Sequence, residues 1–379
     1  MFADNVCGHC LGMVDSAREN RMVIGLLADP DLPSRLARRL GDELPGELGR
    51  ALGGGTEWRA EVLADPFEAL YPDHEYLIDK AHERVRDAPW DIALCITDLP
   101  LHDGGGVVVA NIDAPGRVAV VSLPALGGVR LRRRLTELAV ALVGALLRRP
   151  EDTSVDRELA RRLPSPLRVH RGPADTDTSV VRSRRSGVPT LLAGMVRANR
   201  PWQLIVGLST ALAGALTGTA FGVLYSSIWT LAVSLSGLRL AGITVAALAS
   251  LTLWIIVGHG LWDTRESFGW TQDSDRRLRN AGTVATVAVG TTAFFATLYL
   301  LALAAVTLVI PPDYLAGVVQ RSVRIHDYLA IALVASVLGT IAGAVGSGLE
   351  DDVTVRKATY SYRERERRRR AEQRRHRDQ

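Results

Sequence analysis

The sequence predicts a chain in two parts: an α/β domain with a mixed sheet, then an all-α four-helix transmembrane domain. Strand-like and helix-like apolar patterns alternate over residues 22–149. Four apolar segments over residues 201–350 are each long enough to cross a hydrocarbon layer of ~30 Å. Arginine is concentrated beside these segments and at the C-terminus, as at the boundaries of membrane-spanning helices.

The first domain is predicted to have the element order β-α-β-α-β-β-β-α. Strands are predicted at 22–28, 58–64, 90–99, 107–112 and 117–123, and helices at 33–44, 73–86 and 129–147. The strand at 90–99 is apolar enough to be central in a sheet, and we expect Cys95 within it to be a small buried residue. The last helix begins with several arginines.

Acidic and imidazole side chains follow two of the predicted strands. Asp29 and Asp31 come after the first strand, and Asp98 and His102 come at the end of the third. Open α/β sheets often bind ligands at the carboxyl ends of their strands. We therefore expect these four residues to line a polar ligand-binding pocket, with ordinary loop positions as the open alternative.

The sequence lacks the motifs of the common cofactor and metal sites. The three glycines at 104–106 precede no Lys-Ser/Thr pair, and Gly25 begins no dinucleotide-binding run. Cys7 and Cys10 have the spacing of a disulfide-exchange motif, but only six residues precede them. His82-Glu83 has no second histidine one turn later, so we assign it to a solvated helix face. We expect no cofactor and no metal.

Three stretches occur in a notable succession: Thr97-Asp98-Leu99, the strand VAVVSL at 118–123 and the helix LTELAV at 135–140. This succession resembles the zincin metalloproteases of the archaemetzincin kind. In that family the helix carries two histidines one turn apart and a glutamate beside the first. Thr136 and Val140 occupy the histidine positions, and only Glu137 fits. The resemblance therefore implies a protease-like shape that cannot hold zinc, and an ordinary α/β domain is the alternative.

The remaining segments flank or connect the two domains. Residues 1–21 are expected to be a disordered leader, with Met1 and Met22 both open as the true start. Residues 150–200 are expected to be a linker that ends in an interfacial helix at 189–199. Residues 351–379 form a basic tail. The whole layout resembles uncharacterised bacterial membrane proteins with an α/β head and a four-helix membrane unit.

The membrane spans are predicted at 204–225, 240–262, 281–310 and 328–349. Arg197 and Arg200 precede the first span, and Arg276, Arg277 and Arg279 lie between the second and third. By the positive-inside tendency, both termini are cytoplasmic, in a multi-pass protein of the bacterial plasma membrane. The predicted spans contain no Asp, Glu, Lys or Arg, which disfavours an ion pathway.

Small residues recur on two of the predicted spans. Gly214, Gly218 and Gly222 share one helix face, and Gly339 and Gly343 share another. Such faces let helix backbones approach closely, either within the four-helix unit or between copies in a homo-oligomer.

The basic tail carries a cluster of arginines that could bind membrane surfaces: Arg367, Arg368, Arg369, Arg370, Arg374 and Arg375. We expect it either to contact anionic lipid or to be solvated. The tail has no interleaved aromatic residues that would favour nucleic acid.

These observations predict an integral membrane protein of unknown activity. Its cytoplasmic domain would bind a partner or a small ligand without catalysis. The alternatives are a degenerate zincin-like hydrolase and an oligomeric transport component.

Overall fold

The computed structural model describes residues 21–53, 55–65, 77–103, 106–147, 159–161, 163, 167–171, 177–199, 209–262 and 273–347. These residues form two compact units divided between Ala198 and Asn199, which we name the head unit and the helical unit. The predicted leader with Cys7 and Cys10, and the predicted tail with its six arginines, lie outside the described residues.

In the described part of the head unit, eight strands belong to one sheet. The strands are β1 (Arg21–Ala28), β2 (Glu57–Ala64), β3 (Ile92–Thr97), β4 (Leu101–Asp103), β5 (Gly106–Asp113), β6 (Val118–Ser122), β7 (Leu167–Arg171) and β8 (Asp177–Ser183). The helices are α1 (Leu32–Leu52), α2 (Leu77–Val85), α3 (Leu123–Leu126), α4 (Leu131–Leu146) and α5 (Arg184–Asn199).

The sheet has the strand order β2-β1-β3-β6-β5-β8-β7, with β4 paired to β5. The pairings among β2, β1, β3 and β6 are parallel. The pairings of β5 with β4, β6 and β8, and of β8 with β7, are antiparallel. The predicted mixed α/β sheet is therefore confirmed.

Helices cover both faces of the sheet. The apolar stripe Leu40, Leu44 and Leu48 of α1 is buried, and α1 lies against Leu26 of β1. Successive side chains of a strand point to opposite faces, so Leu27 belongs to the other face, where it clusters with residues of α2. The buried face of each helix accounts for its position on the sheet.

Several elements differ from their predicted bounds. Helix α1 continues through Pro45 to Leu52, because its buried stripe extends to Leu48 and outweighs the cost of an internal proline. His102 lies in a short strand, β4, rather than in a loop. Cys95 is buried, as predicted.

The linker predicted at 150–200 is corrected by strands β7 and β8. Strand β8 pairs with β5 along its length and buries Val180 completely. The β-branched residues Thr178, Val180 and Val181 were the available signal for this strand. Helix α5 starts at Arg184, earlier than the predicted interfacial helix at 189–199.

The helical unit is built from helices throughout its described part. They are α6 (Ser209–Leu224), α7 (Ser226–Ser234), α8 (Gly237–Gly258), α9 (Asp273–Val309), α10 (Pro312–Val319) and α11 (Ile325–Ser347). Among the described residues, three helical stretches are long and apolar enough to cross a membrane: Gly237–Gly258, Arg276–Val309 and Ile325–Gly346. They match the predicted spans at 240–262, 281–310 and 328–349.

The first predicted span, 204–225, has no single helix of membrane length in the described residues. Helix α6 has 16 residues and is followed at Tyr225 by a bend of 82° into α7. The indole N–H of Trp229 donates to the carbonyl of Val223 at 3.0 Å, which satisfies one acceptor freed at the end of α6. Within the described residues, a fourth span is obtained when α6 and α7 are counted together.

Helix α9 also begins earlier than predicted. Arg276, Arg277 and Arg279 lie in its first turns and not in a loop between spans.

Candidate ligand-binding groove

The predicted polar pocket corresponds to one edge of the sheet. Asp29 directly follows β1, and Asp98 directly follows β3, its parallel neighbour. The backbone N–H of Asp29 donates to the carbonyl of Ile96 at 3.0 Å, so the two strand ends lie side by side. Asp65, which the prediction omitted, follows β2 at the same edge.

These strand-end aspartates are placed differently from one another. Asp29 is buried, with 4% of its surface exposed, whereas Asp31 and Asp98 are half-buried. The carbonyl of Asp31 accepts the hydroxyl of Ser34 at 3.2 Å at the start of α1. The side chain of His102 lies outside the described set. Within that set, no three His, Cys, Asp or Glu residues are grouped to hold a metal ion.

A concave surface lies between α1 and α4. This groove, named the α1–α4 groove, has a volume of about 870 Å³. Helix α1 contributes residues spaced three or four apart, which share one helical face: Leu32, Leu36, Arg39, Glu43, Glu47 and Ala51. The opposite wall includes Arg130, Arg132, Arg133, Thr136, Glu137 and Val140, and Arg197 of α5 completes it.

The α1–α4 groove has more positive than negative side chains. Five arginines and three glutamates line it. Each glutamate already has an arginine partner: Glu43 pairs with Arg132, Glu137 with Arg133 at 2.7 Å, and Glu47 with Arg50 at 3.0 Å. The hydrogen bond from Arg132 to Glu43 raises the pKa of the guanidinium, so this arginine stays charged.

Two arginines of the groove remain available to a ligand. Arg39 and Arg130 are exposed, and neither forms an ion pair within the described part of the chain. Arg130 has a left-handed backbone, with φ of 54°, immediately before α4. Guanidinium groups recognise carboxylates and phosphates through paired N–H donors. The groove is therefore suited to an acidic ligand.

The positions that resemble the zinc helix face the same groove. The hydroxyl of Thr136 donates to the carbonyl of Arg132 at 3.1 Å, one turn earlier in α4. Glu137 accepts a hydrogen bond from Arg133, and Val140 presents an aliphatic side chain. None of the three offers a neutral nitrogen, and the chemistry of this donor set does not fit zinc.

A second cavity, of about 430 Å³, lies beside α2 at the opposite edge of the sheet. His82, assigned from the sequence to a solvated helix face, is half-buried and contacts the carboxylate of Asp113. The indole N–H of Trp90 donates to Glu61 at 3.0 Å. Because its histidine and its half-buried indole are engaged in contacts inside the head unit, this cavity is the weaker candidate.

The predicted packing glycines all lie where α6 meets α11. A side chain at Gly218 would meet Ala342 at 2.7 Å, and one at Gly222 would meet the backbone of Ala335 at 2.5 Å. Gly214 faces Ala342, Gly339 faces Ala215 and Thr219, and Gly343 faces Ala211. The absence of side chains at these positions lets the two helices approach closely within one chain.

The described fold defines a class: an α/β head unit with a mixed sheet, followed by a helical unit with three helices of membrane-spanning length. Comparison of the chain with protein-family models, curated proteins and solved structures found no match in any of the three.

The sequence did not single out the α1–α4 groove. The sequence shows the arginine-rich start of α4 and the arginines at 38 and 39 of α1. Their meeting in one concavity depends on the packing of two helices far apart in sequence.

Proposed function

We propose that this chain is a multi-pass integral membrane protein whose head unit binds an acidic partner or small ligand in the α1–α4 groove, without catalysis. The observation that carries the proposal is the surplus of arginine in a cavity of about 870 Å³. An acidic ligand would neutralise Arg39 and Arg130, which have no carboxylate partner in the described residues.

The membrane placement rests on the helical unit. Its three membrane-length helices expose large apolar side chains, such as Leu238, Val257 and Leu308, that water would not favour. With α6 and α7 counted as one span, four spans place both termini on the same side. The arginines at the start of α9 favour the cytoplasm of a bacterial cell for that side.

The first test compares two adjacent arginines of α1. Both Arg38 and Arg39 are exposed, but only Arg39 lines the groove. The full chain in dodecyl maltoside is titrated with a fluorescein-labelled poly-glutamate peptide and followed by fluorescence anisotropy. We expect Arg39→Ser to raise the Kd by up to about fivefold, the range of an exposed ion pair. Arg38→Ser should leave the Kd unchanged.

A second pair controls for backbone geometry. Arg130 and Arg117 are both exposed and both left-handed, with φ of 54° and 52°. Asparagine tolerates this backbone conformation, so Arg130→Asn and Arg117→Asn remove equal charge without added strain. Only Arg130→Asn should weaken peptide binding. Equal losses in both pairs would mean that the peptide responds to net charge and would contradict the groove.

The alternative is a hydrolase derived from the zincin shape. It is favoured by one observation: β6, which pairs with β3, leads through α3 into α4, whose Glu137 faces the groove. The donor set at Thr136 and Val140 disfavours it. Stoichiometric zinc in the purified full chain, measured by mass spectrometry, would replace the binding proposal with this one.

A further inference from the structure

Arg182, in strand β8, is a buried charge that forms no ion pair with a carboxylate of the described residues. Only 9% of its surface is exposed, and its Nε has no hydrogen-bond partner. Removing an unpaired guanidinium from water is costly, so buried charges are ordinarily paired. A buried polar atom that lacks a partner in a native fold calls for an explanation, such as a bound ion.

The position of Arg182 is fixed by its neighbours. It is the cross-strand partner of Val107 in β5 and of Leu167 in β7, so its backbone is held from both sides. Cross-strand partners share a face of the sheet. Val107 contacts Gly187 of α5, 2.8 Å from where a side chain would begin. The side chain of Arg182 therefore lies on the sheet face covered by α5.

A second arginine, Arg134 of α4, borders helix α5 about one turn along from Arg182. A side chain at Gly127 would meet Thr190 of α5 at 2.8 Å and Nη1 of Arg134 at 3.0 Å, and one at Gly187 of α5 would meet the carbonyl of Arg182 at 3.3 Å. Its Nη1 donates to the carbonyl of Leu126 at 2.6 Å, which anchors the guanidinium beside α3. Burial lowers the pKa of Arg182, and the positive charge of Arg134 lowers this pKa further. Within the described residues, neither arginine forms an ion pair with a carboxylate. In the part of the head unit that the structure describes, two positive charges thus lie near each other with no carboxylate paired to either.

We propose that Arg134 and Arg182 form a binding site for a phosphate group. A phosphate carries close to two negative charges and offers several acceptor oxygens, so one group neutralises both guanidiniums. A carboxylate would neutralise only one. Arg134 is half-buried and gives an anion access from solvent, while Arg182 forms the floor of the site.

This site is separate from the α1–α4 groove, because neither arginine is among the groove's lining residues. The phosphate site is therefore tested independently of the function proposed above. The same chemistry is available from inorganic phosphate and from the headgroup of a phosphomonoester lipid.

The first experiment titrates the full chain in dodecyl maltoside, which contains no phosphate, with inorganic phosphate by calorimetry at constant ionic strength. Arg182→Met is compared with Arg184→Met, an equal charge change at an exposed position two residues away. We expect the wild-type chain and Arg184→Met to bind phosphate. Arg182→Met should raise the Kd at least about tenfold, as expected for losing a hydrogen bond to a charged group.

A second measurement keeps the test independent of whether Arg182→Met folds. The thermal unfolding midpoint of the wild-type chain should rise with each increment of phosphate, since a ligand that binds only the folded state stabilises it. Sodium chloride at the same ionic strength should not have this effect. Without phosphate, Arg182→Met should unfold at a higher temperature than the wild-type chain, because the unpaired buried charge is gone.

Nanodiscs distinguish the two sources. The chain is placed in phosphatidylcholine alone or in phosphatidylcholine with phosphatidic acid. If the lipid headgroup is the natural occupant, phosphatidic acid should raise the unfolding midpoint of the wild-type chain and of Arg184→Met but not of Arg182→Met. If soluble phosphate is the natural occupant, phosphatidic acid should leave the unfolding midpoint unchanged. Added inorganic phosphate should then raise the midpoint of the wild-type chain and of Arg184→Met but not of Arg182→Met. The proposed site would be overturned if neither phosphate source raised the unfolding midpoint of the wild-type chain above that of Arg182→Met. Equal losses of phosphate affinity in Arg182→Met and Arg184→Met would overturn it as well.

Discussion

The guanidinium of Arg321, in the loop that precedes helix α11, donates two hydrogen bonds to the carboxylate of Asp327 in the first turn of α11, at 2.6 and 3.0 Å. Asp327 is almost fully buried, and it also accepts the backbone N–H of Arg324 at 2.8 Å. The hydrogen bond to Asp327 raises the pKa of Arg321. One carboxylate thus caps the start of α11 and orders the loop before it.

Asp327→Ala should destabilise the helical unit by about 0.5–2 kcal/mol, the range measured for losing a helix-capping side chain. The thermal unfolding midpoint in dodecyl maltoside measures this loss. Asp313→Ala is the control, because Asp313 lies in the first turn of α10 but is exposed. A midpoint that falls equally in both variants would show that the buried cap at Asp327 has no special role.

The contact between α6 and α11 predicts opposite effects for two glycine substitutions. Gly222→Ala would place a methyl group against the backbone of Ala335, whereas Gly242→Ala in α8 would meet nothing within 4 Å. Overpacking should cost about 1–3 kcal/mol at Gly222. At Gly242, higher helix propensity should stabilise the chain by up to about 1 kcal/mol. Thermal unfolding in detergent checks this: the midpoint should be lower than that of the wild-type chain for Gly222→Ala and higher for Gly242→Ala.

The same pair separates packing within the chain from association between copies. If Gly222 acts inside one chain, light scattering should give the same mass for Gly222→Ala as for the wild-type chain. A variant that dissociates into smaller particles while keeping its unfolding midpoint would instead favour the homo-oligomer.

Apolar periodicity predicted the elements whose buried side chains form a regular pattern. Leu40 and Leu44 marked α1, and the unbroken apolar run of β3 marked a central strand. The sequence did not reveal β7 and β8, because edge-side antiparallel strands alternate polar and apolar residues over few positions. Proline and arginine in the same region favoured a linker.

The candidate site was less accessible to sequence reasoning for a different physical reason. Asp29 and Asp98 were expected together because parallel strands end at a common edge, and the structure does place them there. The pair Arg134 and Arg182 comes from a helix and a strand far apart in sequence. Their proximity is a product of tertiary packing, and the absence of a carboxylate partner among the described residues is visible only in the folded chain.

The orientation that we propose for the helical unit predicts which residues an impermeant reagent reaches. Ser322 and Asp42 are both exposed, the first in the loop before α11 and the second on α1. In a background with Cys7→Ser and Cys10→Ser, the remaining cysteine, Cys95, is buried. Ser322→Cys should react with a membrane-impermeant maleimide in intact cells, because the proposed topology has its loop outside.

Asp42→Cys should react only after the membrane is permeabilised, because the proposed topology has the head unit in the cytoplasm with both termini. Labelling is read as a mass shift on a denaturing gel, and labelling of both variants after permeabilisation is the control for reactivity. The reverse pattern in intact cells would invert the topology. Reaction of both variants in intact cells would mean that the two positions are on the same, outer side, and the count of α6 and α7 as one span would then be wrong.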